Sequence, residues 1–199
     1  DFKRNISIRL AKIMINLSGV KRGDRLLDPF CGVGVVLQEA GLMGCNVVGV
    51  DKDKNMVKAS FANMKWLGKE VNNWKIVKGD SSQIDKYVST GFDSIVTEPD
   101  LGTYWKKLPG DEEAKKELKR LEKLYADFLI EVKGLLKRQG RLVMVVPVFK
   151  TKTRKRMTMD FESLSRDAGF KKFEICDVKI PYVYNKRGSK IDREIWVLG

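Results

Sequence analysis

The sequence contains no histidine. That absence excludes Ser–His and Cys–His nucleophile pairs and any histidine-ligated metal centre. Cysteine is scarce as well. Cys31, Cys45 and Cys176 are odd in number and lack the spacing of a metal motif. Unpaired thiols suit a reducing compartment, so a cytoplasmic location is expected. No apolar run approaches the roughly 20 residues that cross a bilayer, and no secretory leader opens the chain, so no membrane partner is expected. The chemistry left to this chain must use carboxylates, backbone groups, lysine, tyrosine or a bound cofactor.

What is present is a globular composition, 43% hydrophobic and 33% charged over 199 residues, enough for one domain with its own core. Residues 1–199 are expected to form that single domain. The first residue is Asp1 rather than Met, and a further segment upstream is expected. Thirty-nine basic residues against 26 acidic ones give a net charge of +13. So basic a balance points to a polyanionic partner such as nucleic acid.

Strand and helix alternate along the chain. Short apolar runs at Arg25 to Asp28, Asn46 to Asp51, Trp74 to Lys78, Phe92 to Thr97 and Arg141 to Val146 predict five strands. Between them, apolar residues recur at steps of three and four. Helices are predicted over Val33 to Met43, over Lys54 to Leu67, and from Pro109-Gly110-Asp111 through a stripe ending at Leu135, closed by Gly140. An amphipathic helix from Phe2 to Leu17 precedes the first strand, and Phe161 to Ala168 forms another. Lys172 to Ile180 and Ile191 to Leu198 read as two last strands whose short connection makes them antiparallel. The predicted fold is therefore α/β and Rossmann-like: a mostly parallel seven-stranded sheet, a C-terminal antiparallel hairpin, and helices on both faces. This is the pattern of class I methyltransferases.

In an open parallel sheet ligands sit beyond the carboxyl ends of the strands. After the first strand stands Asp28-Pro29-Phe30-Cys31-Gly32-Val33-Gly34. Gly32 and Gly34 permit a tight turn and close backbone approach, and the next helix offers free N–H groups. The third glycine of a dinucleotide fingerprint is missing, with Leu37 in its place. An acid closing the first strand would repel a pyrophosphate and suits a cationic amino-acid and sulfonium ligand. Asp51, followed by Lys52, closes the second strand where a carboxylate can accept from two ribose hydroxyls. Asp80, with Ser81 and Ser82, closes the third where an adenine amino group would lie. Each acid alone would be an ordinary turn or cap residue. Together they predict S-adenosyl-L-methionine as cofactor, with Cys31 a packing residue rather than a nucleophile.

After the fourth strand comes Thr97-Glu98-Pro99-Asp100-Leu101-Gly102. This loop resembles the Asp/Asn-Pro-Pro-Tyr loop of amino-methyltransferases. The chain as a whole resembles the catalytic domain of THUMP-associated tRNA guanine-N2 methyltransferases. The resemblance is carried by Asp28-Pro29-Phe30-Cys31-Gly32-Val33-Gly34, by the N-terminal segment and by the Arg193-Glu194-Ile195 strand. It implies transfer of methyl to an exocyclic amine of RNA, guanine N2 of tRNA foremost, and an RNA-binding domain upstream or an accessory subunit. It also implies that Glu98 and the Pro99 carbonyl accept the amine N–H groups, orienting a delocalised lone pair for in-line attack, with the carboxylate able to take the proton. Glu98 would also border the cofactor.

The loop departs from that pattern. Asp100 replaces the second proline and Leu101 falls where the aromatic would be; in the register Glu-Pro-aromatic-Leu-Gly, Asp100 has replaced the stacking ring. Two neighbouring carboxylates would repel and could share a proton. Three explanations stand open: an aromatic shifted to Tyr104 or Trp105, a weakened enzyme, or an engineered substitution. Alternatives to the RNA enzyme are accordingly a DNA amino-methyltransferase and a cofactor-binding RNA module with impaired catalysis.

Basic and aromatic residues interleave in three loops expected to leave the same sheet edge. These are Tyr104 and Trp105 with Lys106 and Lys107; Lys152, Arg154, Lys155 and Arg156; and Tyr182, Tyr184, Lys186 and Arg187. They are the candidate RNA contacts, lysine and arginine for phosphates and rings for bases. Lys115, Lys116, Lys119, Arg120 and Lys123 fall mostly on the outer face of a helix and are expected to be solvated.

Overall fold

The computed structural model describes residues 6–185 and 188–199. Helix α1 (Ile8–Ser18) starts where the Ser7 side chain accepts from the Leu10 N–H, and ends at Gly19 with φ 72°. Its buried residues, Leu10, Ala11, Met14, Ile15 and Ser18, follow the helical period. The predicted start at Phe2 lies outside the described residues. Then come β1 (Arg25–Asp28), α2 (Val35–Leu42), β2 (Asn46–Asp51), α3 (Lys54–Leu67), β3 (Trp74–Lys78) and β4 (Phe92–Thr97). Asp53 caps α3 by accepting from the Asn55 N–H at 2.7 Å.

Helix α4 (Asp111–Lys133) opens with Asp111, Glu112 and Glu113 in its first turn, where carboxylates meet the positive end of the helix dipole. The Glu113 carboxylate reaches back to the Gly110 N–H at 2.6 Å. Ala114, Leu118, Leu121, Tyr125, Phe128, Leu129 and Val132 form its buried stripe. The helix stops at Gly134 rather than at Gly140. β5 (Leu136–Lys150) already begins at Leu136, paired with Phe92, and a register shift follows before Ser94 meets Arg141. Gly140 sits in that bulge, where an added Cβ would lie 3.0 Å from two backbone carbonyls.

The remaining elements are β6 (Arg156–Met157), α5 (Phe161–Asp167), β7 (Tyr182–Tyr184) and β8 (Ile191–Leu198). One expectation needs correcting. Lys172 to Ile180 is not a strand; it makes isolated bridges, Lys172 to Leu198 and Ile175 to Val178. Its apolar residues change parity between Phe173/Ile175 and Val178/Ile180, so no single strand could bury them all. A turn with Asp177 at φ 61° takes up the change. The antiparallel partner of β8 is β7 instead, and Tyr182 and Tyr184 therefore belong to a strand opposite Ile195 and Arg193.

The strand order is β3-β2-β1-β4-β5-β8-β7, with β6 beside β5. Pairings from β3 to β5 are parallel; those of β8 with β5 and β7 are antiparallel. Helices α1, α2 and α3 contact one another as one layer, and α4 packs with α5 as a second. The sheet between them is apolar at its centre, with Leu26, Leu27, Ile95, Val96, Leu142 to Val146 and Ile195 to Leu198 buried. The chain leaves β1 toward β2 on one side and later enters β4 on the other. A crevice thus opens at the carboxyl ends of β1 and β4. Among the described residues no helix is long and apolar enough to cross a membrane.

Candidate active site

The crevice is lined by Asp28, Phe30, Cys31, Gly32, Val33 and Glu98, among others, so the glycine loop and the loop after β4 share one cleft. Asp28 is buried, and one carboxylate oxygen joins the two halves of the sheet. It accepts from the Thr97 hydroxyl at 2.7 Å and from the Phe30 N–H at 3.2 Å. Burial pushes its pKa up to about 7 despite those two donors, and the nearby charges of Asp51 and Glu98 add to the rise.

The loop that follows is held by β2. Asp51 accepts from the Gly32 N–H at 2.9 Å and, with its other oxygen, from the Asp53 N–H at 2.8 Å. Gly32 has φ 51°, and a Cβ there would meet nothing within 4 Å, so the backbone borders open space. Gly34 has φ 85°, and a Cβ there would fall 2.4 Å from the Ser60 hydroxyl; α2 and α3 approach closely only because this residue is glycine. Gly34 caps α2 without a side chain, leaving the first N–H groups of the helix turned toward the cleft mouth. Cys31 is buried, and burial raises its thiol pKa, so it stays protonated and packs.

Asp80 accepts from the Ser82 N–H at 3.0 Å and the Ser82 hydroxyl at 2.9 Å, capping a short 3-10 turn (Ser81–Lys86). Those two donors hold its pKa below the usual carboxylate range. Ser81 beside it is buried. Asp28, Asp51 and Asp80 thus close three adjacent parallel strands on one edge, Asp51 and Asp80 also serving their own turns. Lys52 is exposed at the same edge.

Glu98 is not free. Its carboxylate, 8% exposed, is gripped by Arg193 of β8, with Nε to Oε2 at 2.9 Å and Nη2 to Oε1 at 3.2 Å. Arg193 is a residue that sequence reasoning missed as part of the site. Its signals were the family-like Arg193-Glu194-Ile195 strand and the alternation of β8, which places it and Asp192 on opposite faces. Asp100 turns the other way. It pairs with Arg120 of α4 at 2.8 Å and accepts from the Gly102 N–H at 2.9 Å, while its carbonyl takes the Tyr125 hydroxyl at 2.8 Å. Partial burial raises its pKa, but Arg120 and the Gly102 N–H outweigh that and hold it below the usual range. Each carboxylate therefore has its own arginine partner. Arg120, exposed as expected, also ties Asp100 to Glu117.

The aromatic residues after this loop part company. Trp105 packs edge-on against Phe149 with ring centroids 4.9 Å apart, so it belongs to the core margin. Tyr104 is 54% exposed, with Lys190 over its ring at 5.7 Å. In the basic loop, Lys152, Arg154, Lys155 and Arg156 are all exposed. Lys155 pairs with Asp111 and Arg156 with Asp192, a buried carboxylate that also holds Lys150. Among the described residues Lys152 and Arg154 make no ion pair. Tyr182 is exposed and Tyr184 partly buried, both on the edge strand β7; Lys186 and Arg187 lie outside the described residues.

The sequence model of an RMKL-like methyltransferase domain matches residues 3–186. The chain belongs to the RMKL-like methyltransferase family. Among curated proteins, tRNA (guanine(10)-N2)-dimethyltransferase of Methanothermobacter thermautotrophicus is 37% identical over 160 residues, covering 80% of this chain and 41% of the relative. The chain thus spans less than half the length of that relative. Among solved structures, TrmN from Thermus thermophilus superposes with a TM-score of 0.71 at 21% identity, over 99% of this chain and 50% of that one. Magnesium protoporphyrin IX methyltransferase from Synechocystis, solved with bound SAM, gives 0.67 at 16% identity, over 96% and 78%. At such identities these likenesses establish the fold: RMKL-like domains share the class I methyltransferase architecture of the sheet described above.

Proposed function

We propose that this chain is the catalytic domain of an S-adenosylmethionine-dependent methyltransferase acting on an exocyclic base amine of RNA, guanine N2 of tRNA. One observation carries the reading: the acid-led glycine loop and the Glu98-Pro99 loop line a single cleft at the switch point of the sheet. The family and the name of the curated relative support the substrate class.

The donor set fits the cofactor. Asp28 supplies a buried carboxylate for a cationic group; Phe30, Gly32 and Gly34 supply an apolar wall and close backbone, with Pro29, Cys31 and Lys52 around them. Asp51 retains lone pairs for hydroxyl donors, and Asp80 with Ser81 stands where the adenine edge would lie. When bound, S-adenosylmethionine supplies an electrophilic methyl group. Glu98, fixed by Arg193, and the Pro99 carbonyl would accept the two N–H groups of the base amine and so orient its lone pair. Transfer of that methyl to the amine would leave a surplus proton on the nitrogen. Glu98 would orient the amine, and the surplus proton of the methylated product would pass to water. Tyr104, Lys152 and Arg154 are the described rim residues best placed to hold the RNA, with Lys155, Arg156, Tyr182 and Tyr184 around them.

Incubation with methyl-labelled cofactor and unmodified tRNA, followed by nucleoside digestion, tests the proposal. Label in N2-methylguanosine is the expected result; full cofactor binding with no label in RNA overturns it. The orientation of Asp100 favours a second reading, an RNA module with impaired catalysis, because no aromatic side chain follows Pro99. Cofactor binding without turnover, together with turnover restored by Asp100→Tyr, would select it. The three free thiols suit a reducing compartment such as cytoplasm.

A further inference from the structure

The predicted rim holds only part of the chain's excess charge in a free form, because Lys155 and Arg156 are ion-paired, and the neighbouring Lys150 and Lys190 are engaged with Asp192 and with the carbonyls of Trp105 and Lys106. A different surface is more cationic. Between Lys54 and Lys78 the chain carries Lys54, Lys58, Lys65, Lys69, Lys75 and Lys78 against a single acid, Glu70. All six lysines are exposed, and among the described residues none makes an ion pair or a side-chain hydrogen bond. Lys54, Lys58 and Lys65 lie on one stripe of α3, at steps of four and seven. Phe61, 50% exposed, lies on that stripe and meets Trp74 of the edge strand β3 edge-on at 5.1 Å. Trp66, beside Lys65 and one turn before Lys69, is 84% exposed, the most exposed large apolar side chain described.

Five unpaired lysines, Lys54, Lys58, Lys65, Lys69 and Lys78, around two exposed rings form a surface complementary to a flexible polyanion with flat, stackable bases, Lys75 falling on the other face of β3. Lys75 and Lys78 alone would suffice to protect an edge strand from pairing with another chain; they account neither for the stripe on α3 nor for an open Trp66. We propose that the outer face of α3 with β3 is a second RNA-binding surface, its lysines on phosphates and Trp66 stacked on an unpaired base. This rests on the reading of RNA as substrate. The surface begins beside Asp51 and Asp80 and runs along α3, roughly 20 Å at 1.5 Å per residue, so that one RNA can reach both it and the cleft.

The test is fluorescence anisotropy of the full chain with labelled tRNA and single-stranded RNA across 50–300 mM salt. The triple variant Lys58→Ala, Lys65→Ala, Lys69→Ala is expected to reduce the slope of log K against log salt by about 2, at about 0.7 per contact. Trp66→Ala is expected to weaken single-stranded RNA binding about tenfold with the slope unchanged. Cofactor affinity should be unaffected in both. If wild-type chain binds and methylates RNA and the triple variant matches it in affinity and slope, this inference falls while the proposed function stands. If wild-type chain binds no RNA, both fall. Self-association abolished by Trp66→Ala, with RNA binding intact, would assign the face to a protein partner and overturn the proposal.

Discussion

Replacing Asp28 by Asn removes one charge and little else. The oxygen that accepts from Thr97 and Phe30 keeps its role as an amide carbonyl, and the new NH2 group takes the place of the other oxygen. The rise in pKa from an ordinary value near 3.8 to about 7 corresponds to about 4 kcal/mol of disfavoured ionisation, an upper bound set by the buried site. In the unfolded chain the group ionises near 3.8, whereas in the folded chain it holds its proton until about 7. The unfolded state thus binds fewer protons in that window, and stability falls as pH rises from about 4 to about 7, remaining at its lower level above. Asp28→Asn abolishes this dependence. At pH 8 the ligand-free variant should melt up to about 8–16 °C above wild type, since 1 kcal/mol moves a domain of this size by about 2–4 °C. Near pH 4 the two should coincide. Binding of a cationic ligand should show the reverse order: wild type should release a proton on binding at pH 6.5, and the variant should bind about 10- to 100-fold more weakly at pH 8. Thr97→Val, which removes a donor to the ionised form, should shift the wild-type window upward. Melting curves across pH, with calorimetry in two buffers of different ionisation enthalpy, read all of this. Parallel melting profiles for wild type and Asp28→Asn, or no proton release at pH 6.5, would refute the reasoning.

Arg193→Ala leaves Glu98 nearly buried without its partner and should cost about 3 kcal/mol, read as a lower urea midpoint, with kcat falling more than KM rises. Arg193→Lys, able to make one contact, should recover part of both. Asp100→Tyr breaks an exposed pair with Arg120, costing under about 1 kcal/mol, and should raise kcat on RNA about tenfold by restoring a ring after Pro99; unchanged turnover would refute a stacking role at this position. Gly34→Ala places a Cβ 2.4 Å from the Ser60 hydroxyl at φ 85° and should destabilise by about 2–4 kcal/mol in chemical denaturation, with Ser60→Gly recovering the steric share.

Much of the architecture was written in local pattern. Strands β1 to β4 and helix α3 begin and end at the predicted residues because a buried run, a turn and a cap coincide at each boundary. The end of α4 did not: Leu135 and Leu136 continue the helical stripe, and only pairing with Phe92 decides that the chain becomes a strand there. The predicted strand at Lys172 to Ile180 failed on a parity change visible in the sequence once pairing with β8 is considered. At the site, residue types and edge were legible, since strand ends dictate both. Partnership was not. The bond from Asp28 to Thr97 spans 69 residues, Glu98 to Arg193 spans 95, and Asp100 to Arg120 spans 20, so each depends on the completed sheet or its packed helix. Trp105 and Tyr104, adjacent in sequence, separate into core margin and solvent because Phe149 captures one ring.

Five carboxylates gather at one edge of the sheet, and their compensation is uneven. Asp51 has the N–H groups of Gly32 and Asp53, and Asp80 has those of its own turn. Glu98 has Arg193 and Asp100 has Arg120. Asp28 has two neutral donors on a single oxygen, is the most buried of the five, and feels the charges of Asp51 and Glu98. Negative potential is therefore focused at Asp28, which can respond only by keeping a proton or by meeting a cation. A phosphate-bearing dinucleotide would worsen that imbalance, whereas a ligand carrying an ammonium and a sulfonium relieves it. On the proposed reading the same unevenness would give Glu98 its place in the mechanism. Clamped by Arg193, it is held rigidly enough to orient an amine, yet it is too well satisfied to compete for the ligand's positive charge. On the proposed reading the arginines would keep the loop acids out of the cofactor's electrostatics, and Asp28 would meet its cationic groups.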